Sequence, residues 1–372
     1  MTPDLVPAVD AAGLPGPVWL FQVLLVFTFF LHLLFVNITL GGSLLAWVAH
    51  LRSGGSASDP RGALAARLTA VNGYGISLTI TTGVAPLLFI QTLYQQYFYS
   101  GTILVGGLWF GLLVLLLVGY YTAYLYKFRG APAVGRGGGL WIGVSALSFL
   151  AIATIHVVVH LVHVQPAQWA AFEADPWVVL ADPTFVPRLL HFVLAGLGFA
   201  AVIMVWWSVR AVERGADRQL EGAIARFGWT WALWTTVLQV VDGFVLLFVL
   251  PQPVLSGLMK GGAVTMVPLT LAILGAVGLL VMMARVSDPL AAKGTVTGTL
   301  GAMVLVIGVM TVTRHQIRVL YLAPTTDLGA FTVASQWLNI GLFVLLLVAA
   351  LATVYLMVKR VLASPATGAD AA

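Results

Sequence analysis

Residues 18–48 read VWLFQVLLVFTFFLHLLFVNITLGGSLLAWV. No Asp, Glu, Lys or Arg interrupts this run, and its one ionisable side chain is His32. About 20 predominantly apolar residues suffice for a helix to cross the roughly 30 Å hydrocarbon core of a bilayer. A barrel strand would be about half as long and would alternate in polarity, and this run does not alternate. Eight more runs share its character, at approximately 72–97, 103–126, 138–164, 186–209, 227–250, 264–284, 295–314 and 335–358. The expected architecture is therefore all-α: a polytopic membrane bundle of about nine helices. It forms one membrane domain over residues 1–372, with a disordered tail at 364–372.

Composition supports that reading. Of the 372 residues, 60% are hydrophobic and 8% are charged, against roughly 25% charged in soluble domains. So few charges leave a soluble surface uncovered, so lipid is the solvent, and nothing suggests a nucleic-acid partner. With no cysteine, disulfides, thiolate metal sites and covalently attached c-type haem are excluded. Residues 1–16 are acidic and rich in Pro and Gly, without the basic region that opens a signal peptide.

The connections set the expected orientation. Arg52, Arg61 and Arg67 follow the first run, and Lys127, Arg129 and Arg136 the third. Arg210, Arg214, Arg218 and Arg226 follow the fifth, Arg285 and Lys293 the seventh, and Lys359 and Arg360 the ninth. Of 18 basic residues, only Arg188, Lys260, Arg314 and Arg318 fall on the other side. The positive-inside rule then places the N-terminus outside and the C-terminus in the cytoplasm, as an odd number of spans also requires. The expected location is the bacterial cytoplasmic (inner) membrane.

Six of the seven histidines lie in the runs or at their outer ends, where ionisable groups are costly and commonly functional. His156, His160 and His163 recur at i, i+4 and i+7, on one helix face, over about 10 Å of rise. His191 opens the fifth run, His32 sits near the middle of the first, and His315 closes the eighth beside Arg314. Only His50 lies at the cytoplasmic edge. Haem b, two or more, is the economical explanation for this outer-half cluster. Its iron takes axial ligands from facing helices, and its macrocycle suits a bundle core. Arg314, Arg318, Arg188 and Lys260 are the cations available to its propionates. A zinc site is the competing metal reading, disfavoured by the lack of nearby acid. Isolated histidines also serve as hydrogen-bonding links between helices. Asp242, near the outer end of the sixth run, is the one clearly intramembrane acid. It is either an acceptor of a quinol proton or a buried acid paired with an Arg or a backbone donor. Gln91, Tyr94, Gln95, Gln96, Tyr97 and Tyr99 read as an interfacial belt.

Two segments resemble subunit I of the cytochrome bd quinol oxidases. Phe29 to Gly41, FFLHLLFVNITLG, is similar to that family's YHFLFVPLTLG, and His191 to Gly196, HFVLAG, is similar to HTVLAG. The resemblance implies a high-spin haem ligand at His32 and a low-spin haem ligand at His191. It covers the whole chain in topology and these two motifs in detail. The departures matter as much. The family's third helix carries two glutamates, and the third run here has no acid. The family's glutamate ligand on the eighth helix has no counterpart around Met310-Thr311-Val312-Thr313. Its methionine ligand falls on Ile273, and its long quinol-binding loop is reduced to Pro251–Ala263. The triple histidine stripe is not a recognised feature of the family.

Together these features imply that the scaffold is kept and the oxygen chemistry lost. The expected function is a b-type cytochrome subunit that moves electrons between the quinone pool and an outer-side redox partner, a c-type cytochrome or iron–sulfur protein, through bis-histidine haems. Quinone or quinol is the substrate, and other subunits of a membrane redox complex are the partners. The alternatives are a quinol-dependent oxygen reductase with altered ligands and a haem-free anchor or transporter.

Overall fold

The computed structural model of the chain describes residues 6–8, 10, 12–129 and 137–363. The expected tail at 364–372 and the loop residue Arg136 lie outside the described residues. The helices, in order, are α1 (Val18–Arg52), α2 (Pro60–Leu93), α3 (Gln95–Leu104), α4 (Gly106–Phe128), α5 (Gly138–Val164), α6 (Trp169–Ala174), α7 (Phe185–Glu213), α8 (Arg218–Phe248), α9 (Gln252–Lys260), α10 (Ala263–Ala284), α11 (Lys293–Leu322) and α12 (Trp337–Ala363). Among the described residues, 9 of them are long and apolar enough to cross a membrane. The only β-type pairing there is a single bridge between Leu14 and Val333. The chain is a multi-pass helical membrane bundle.

Three helices outrun the apolar stretches that announced them. α2 begins at Pro60, twelve residues before the hydrophobic run. Asp59 caps it by accepting from the Arg61 amide, and proline at a first helical position loses no hydrogen bond. The Arg61 side chain also donates to the Asp59 carboxylate and holds its pKa below the ordinary value. α8 begins at Arg218 behind the Asp217 cap. α11 continues past residue 314 through His315 and Arg318 to Leu322. Of the charges that close this run in the sequence, His315 and Arg318 are buried and Arg314 is half-buried within the bundle, so the helix does not stop at them.

Short connections make successive spans antiparallel. One end of the bundle, called the N-terminal end, gathers the start of α1 and the connections 94–105, 165–184, 249–262 and 323–336. Most of the basic residues lie at the opposite end, around 53–59, 214–217 and 285–292. α1 is the hub, packing along α2 and α7 and touching α5 and α11. At the α1–α7 crossing, a Cβ added to Gly41 would lie 1.9 Å from the Gly196 carbonyl oxygen. Only glycine permits that approach, the small-residue contact typical of membrane helices. Gly41 and Gly196 close the two motifs quoted above, so the motifs pack on each other. His32 and His191 then lie about 13 Å and 8 Å from the crossing, displaced towards the same end.

Candidate functional site

The N-terminal half of the bundle gathers the histidines. Three of them share one environment. His32 Nδ1 lies 3.0 Å from the Thr79 carbonyl oxygen on α2, and Gly83 leaves room for the ring: a Cβ there would come within 2.8 Å of it. The His163 ring donates to the backbone of Phe98 on α3, while its Nε2 is buried with no partner. A Cβ on Gly101 would lie 2.3 Å from that ring. His191 Nδ1 lies 3.3 Å from Asp242 Oδ2 on α8, close enough to attract though not aligned as a full hydrogen bond. Gly243 lies against its Cε1. Metal-bound histidines commonly have one ring nitrogen held by a carbonyl or carboxylate, which fixes the tautomer and presents the other nitrogen. His32 shows that anchoring at Nδ1, and His191 has Nδ1 facing a carboxylate oxygen without a hydrogen bond. His163 shows the anchoring together with a buried, unsatisfied Nε2.

The other three differ. His160 is buried, and its Nε2 faces the Arg188 guanidinium at 3.5 Å. His315 is buried with Nδ1 unpartnered. His156 lies beside Trp109 of α4, with ring centres 6.1 Å apart, and has an accessible side chain although His32 and Arg314 lie within electrostatic reach. It therefore borders open space inside the bundle. A small gap between α1 and α11 is lined by Leu25, Phe29, Arg314, His315 and Arg318.

Arginine is the second component. Arg314 stacks over Phe29 at 4.5 Å, and Arg318 over Tyr94 at 5.7 Å. Arg188 has Nε and one terminal nitrogen buried without a partner. Arg314 feels the charges of both other guanidiniums. Among the described residues, none of the three has a carboxylate within salt-bridge distance, although five such pairs form elsewhere. An uncompensated buried charge costs several kcal/mol, so a bound anion would stabilise this cluster, of which Arg318 is buried, Arg188 and Arg314 are half-buried, and Arg188 is also attracted by Asp182. Lys260 stands apart, exposed at the end of α9. Tyr94, Gln96 and Tyr97 are not the interfacial belt expected of them. They are buried, Tyr97 at 1% exposure, and Tyr97 donates to the Thr325 carbonyl. Tyr99 alone of the tyrosines in that group is exposed.

The segment after α5 covers this end. Trp169, Phe172, Val179 and Phe185 join the core formed with Val157–Val162, and Trp169 Nε1 donates to the Val162 carbonyl. Beside this cover lies a cavity of about 410 Å³ between residues 164–168, 182–184, 249–251 and 321–325. Asp182 holds its rim, accepting from Gln165 Nε2 at 2.7 Å and from the Thr184 amide and hydroxyl.

Among the described residues, no three His, Asp or Glu side chains converge to hold a bare metal ion. A haem needs a different arrangement: nitrogen ligands from separate helices, apolar walls, and cations for its propionates. The anchored histidines, glycine recesses and unpaired guanidiniums fit that arrangement. The ring partners Thr79 and Phe98, the position of Asp242 beside His191, and the recesses at Gly83, Gly101 and Gly243 were not legible in the sequence. Each comes from another helix, and a glycine in an apolar run gives no sign of which ring it will face.

No family model matches this chain, and no curated protein matches it either. Among solved structures, the chain is similar to the bd oxidase from Geobacillus thermodenitrificans. The TM-score is 0.67 at 13% identity, over 93% of this chain and 99% of the other. The fold is thus that of a bd oxidase chain.

Proposed function

We propose that this protein is a b-type haem subunit of a quinone-linked membrane redox complex. It would pass electrons between the quinone pool and a redox partner docked at its N-terminal end. The charge bias of the connections supports placing that end outside the cytoplasm, and the bd-oxidase-like fold supports a respiratory setting. The observation that carries the reading is the pairing of intramembrane histidines whose rings face a carbonyl or carboxylate with three arginines that, among the described residues, have no carboxylate within salt-bridge distance.

His32, His163 and His191 are assigned as ligands, each presenting Nε2. His156 and His315 are the remaining candidates for opposite faces. Arg188, Arg314 and Arg318 would neutralise propionates, and His160 supports Arg188. Bound haem would supply reversible one-electron transfer at iron. Thr79, Phe98 and Asp242 hold the rings in orientation, and the Trp169–Phe172 cover keeps water from them. Asp242 is assigned to His191 as a positioning residue in preference to a proton acceptor for quinol. Its carboxylate would make the imidazole more electron-rich and favour the oxidised iron. Two histidines per iron would leave no position for oxygen, which distinguishes this reading from an oxygen reductase.

Absorption spectra of the purified protein, oxidised and dithionite-reduced, with and without carbon monoxide, test the proposal. Reduced b-type bands unchanged by carbon monoxide are expected. A carbon monoxide shift would restore the oxygen-reductase reading, and a colourless haem-replete preparation would leave an anchor or transporter.

A further inference from the structure

We infer that the cover over the N-terminal end, around Trp177, is the docking surface for a soluble electron-carrier protein with a lysine-rich face. This rests on the proposed redox function and deepens it, adding where the partner sits and what charge it carries.

The surface follows from local structure. α6 (Trp169–Ala174) and the 3-10 helix Pro176–Ala181 lie across this end. Each turns one side inward, and Trp169, Phe172 and Val179 are buried in the core below. The other side of the 3-10 helix carries Trp177, Val178 and Leu180, which are 56%, 42% and 41% exposed. Glu173 and Asp175 precede them, both exposed, and Asp182 follows. Tryptophan also suits a bilayer interface, but carboxylates on both sides hold this short helix in water. An exposed apolar patch with a charged rim is the pattern of a protein-binding surface.

Charge selects the partner. Asp10 and Asp327 are exposed at the same end. Asp327 lies two residues beyond Thr325, whose carbonyl accepts from Tyr97, and the Tyr97 ring packs beside Trp169. Asp10, Asp175 and Asp327 accept from backbone amides two residues on. Among the described residues, none of these exposed acids forms a salt bridge. The one exposed Lys or Arg described at this end is Lys260, which closes α9. Such a field draws in a cationic face and turns away an anionic one.

The position favours electron transfer. Trp169 Nε1 donates to the carbonyl of Val162, the residue before His163. One layer of short helix, roughly 10 Å thick, thus separates the patch from an assigned ligand. Each docking exchanges one electron between the protein and the carrier, with no bond broken and no proton moved. A small contact suits a carrier that must leave again, as redox encounters sit at the low end of interface sizes.

The protein in nanodiscs of neutral phosphatidylcholine tests the surface, with a lysine-rich cytochrome c and its succinylated form as probes. The lysine-rich probe is expected to bind at about 20 mM salt and at least tenfold more weakly at about 200 mM. Succinylation, which reverses the lysine charges, should abolish binding. Glu173→Lys and Trp177→Ser should each weaken it at least fivefold, and both side chains are exposed, so the fold is spared. With no native cysteine, Val178→Cys takes a single fluorescent label. Acrylamide should quench that label in the free protein and much less once the probe is bound. Equal binding of the two probes, or binding unchanged in both variants, would overturn the inference. A label already shielded without the probe would overturn it too, by placing the patch in lipid. Binding does not require haem, so a colourless protein that still binds through Glu173 and Trp177 would refute the redox reading and leave the docking surface standing. Electron exchange with the probe that neither variant slows would do the reverse.

Discussion

The two ends of this bundle use the same residue types and treat them oppositely. At the basic end, buried and half-buried charges find partners within the chain. Arg67 meets the buried Glu221 through two hydrogen bonds of 2.7 and 2.9 Å, joining α2 to α8. Glu213 takes both Arg210 and Lys293 at 3.0 Å. His50 Nδ1 lies 3.0 Å from the Tyr126 hydroxyl. Arg52, Arg210 and Arg214 lie over the rings of Trp231, Trp206 and Trp207. Among the described residues of the N-terminal end, three arginines have no carboxylate within salt-bridge distance, and three histidines, His163, His191 and His315, have a buried nitrogen without a hydrogen-bond partner. The charged groups of the first end are matched within the chain, whereas those of the second are left open, and under the proposed function that difference marks the histidines and arginines that would hold the haem.

The comparison can be broken by substitution. The largest effect is expected for Arg314→Leu and Arg318→Leu combined, which should abolish most reduced b-type absorbance. His50→Gln at the other end should leave the spectrum unchanged. Equal spectra for the two would remove the distinction between the ends. Next in size is Arg67→Ala, which strands the buried Glu221 carboxylate and should cost about 3 kcal/mol, read as a lowered Tm in detergent. The double variant Arg67→Ala, Glu221→Gln should recover part of that loss, and no recovery would mean that the pair is not the source. The smallest is Asp242→Asn. Losing a negative charge beside His191 should raise one haem midpoint potential by on the order of 60 mV, equivalent to about 1.4 kcal/mol for one electron. An unmoved potential would return Asp242 to a purely structural role.

How much of this was legible beforehand differs between the fold and the site. The nine spans follow from runs such as 18–48, because a bilayer demands length and apolarity and little else. The histidine stripe of α5 follows from i, i+4, i+7 spacing. The two motifs around His32 and His191 were recognisable, but their meeting at Gly41 and Gly196 was not, since a glycine contact between helices carries no periodicity. The belt assigned to Tyr94, Gln96 and Tyr97 failed for a related reason. The break at Tyr94 starts a new helix, α3, that turns these residues inward, and amphipathic side chains read alike at an interface and in a core.

By itself, the sequence determined a helical membrane protein with two chemically distinct ends, because the solvation of apolar runs and the placement of basic residues are properties of the chain taken segment by segment. Only the tertiary structure decided which histidines are held at one nitrogen and free at the other, and which arginines are left without a counter-charge. A ring nitrogen or a guanidinium is satisfied or orphaned by atoms from other helices, and those neighbours exist only once the helices have packed.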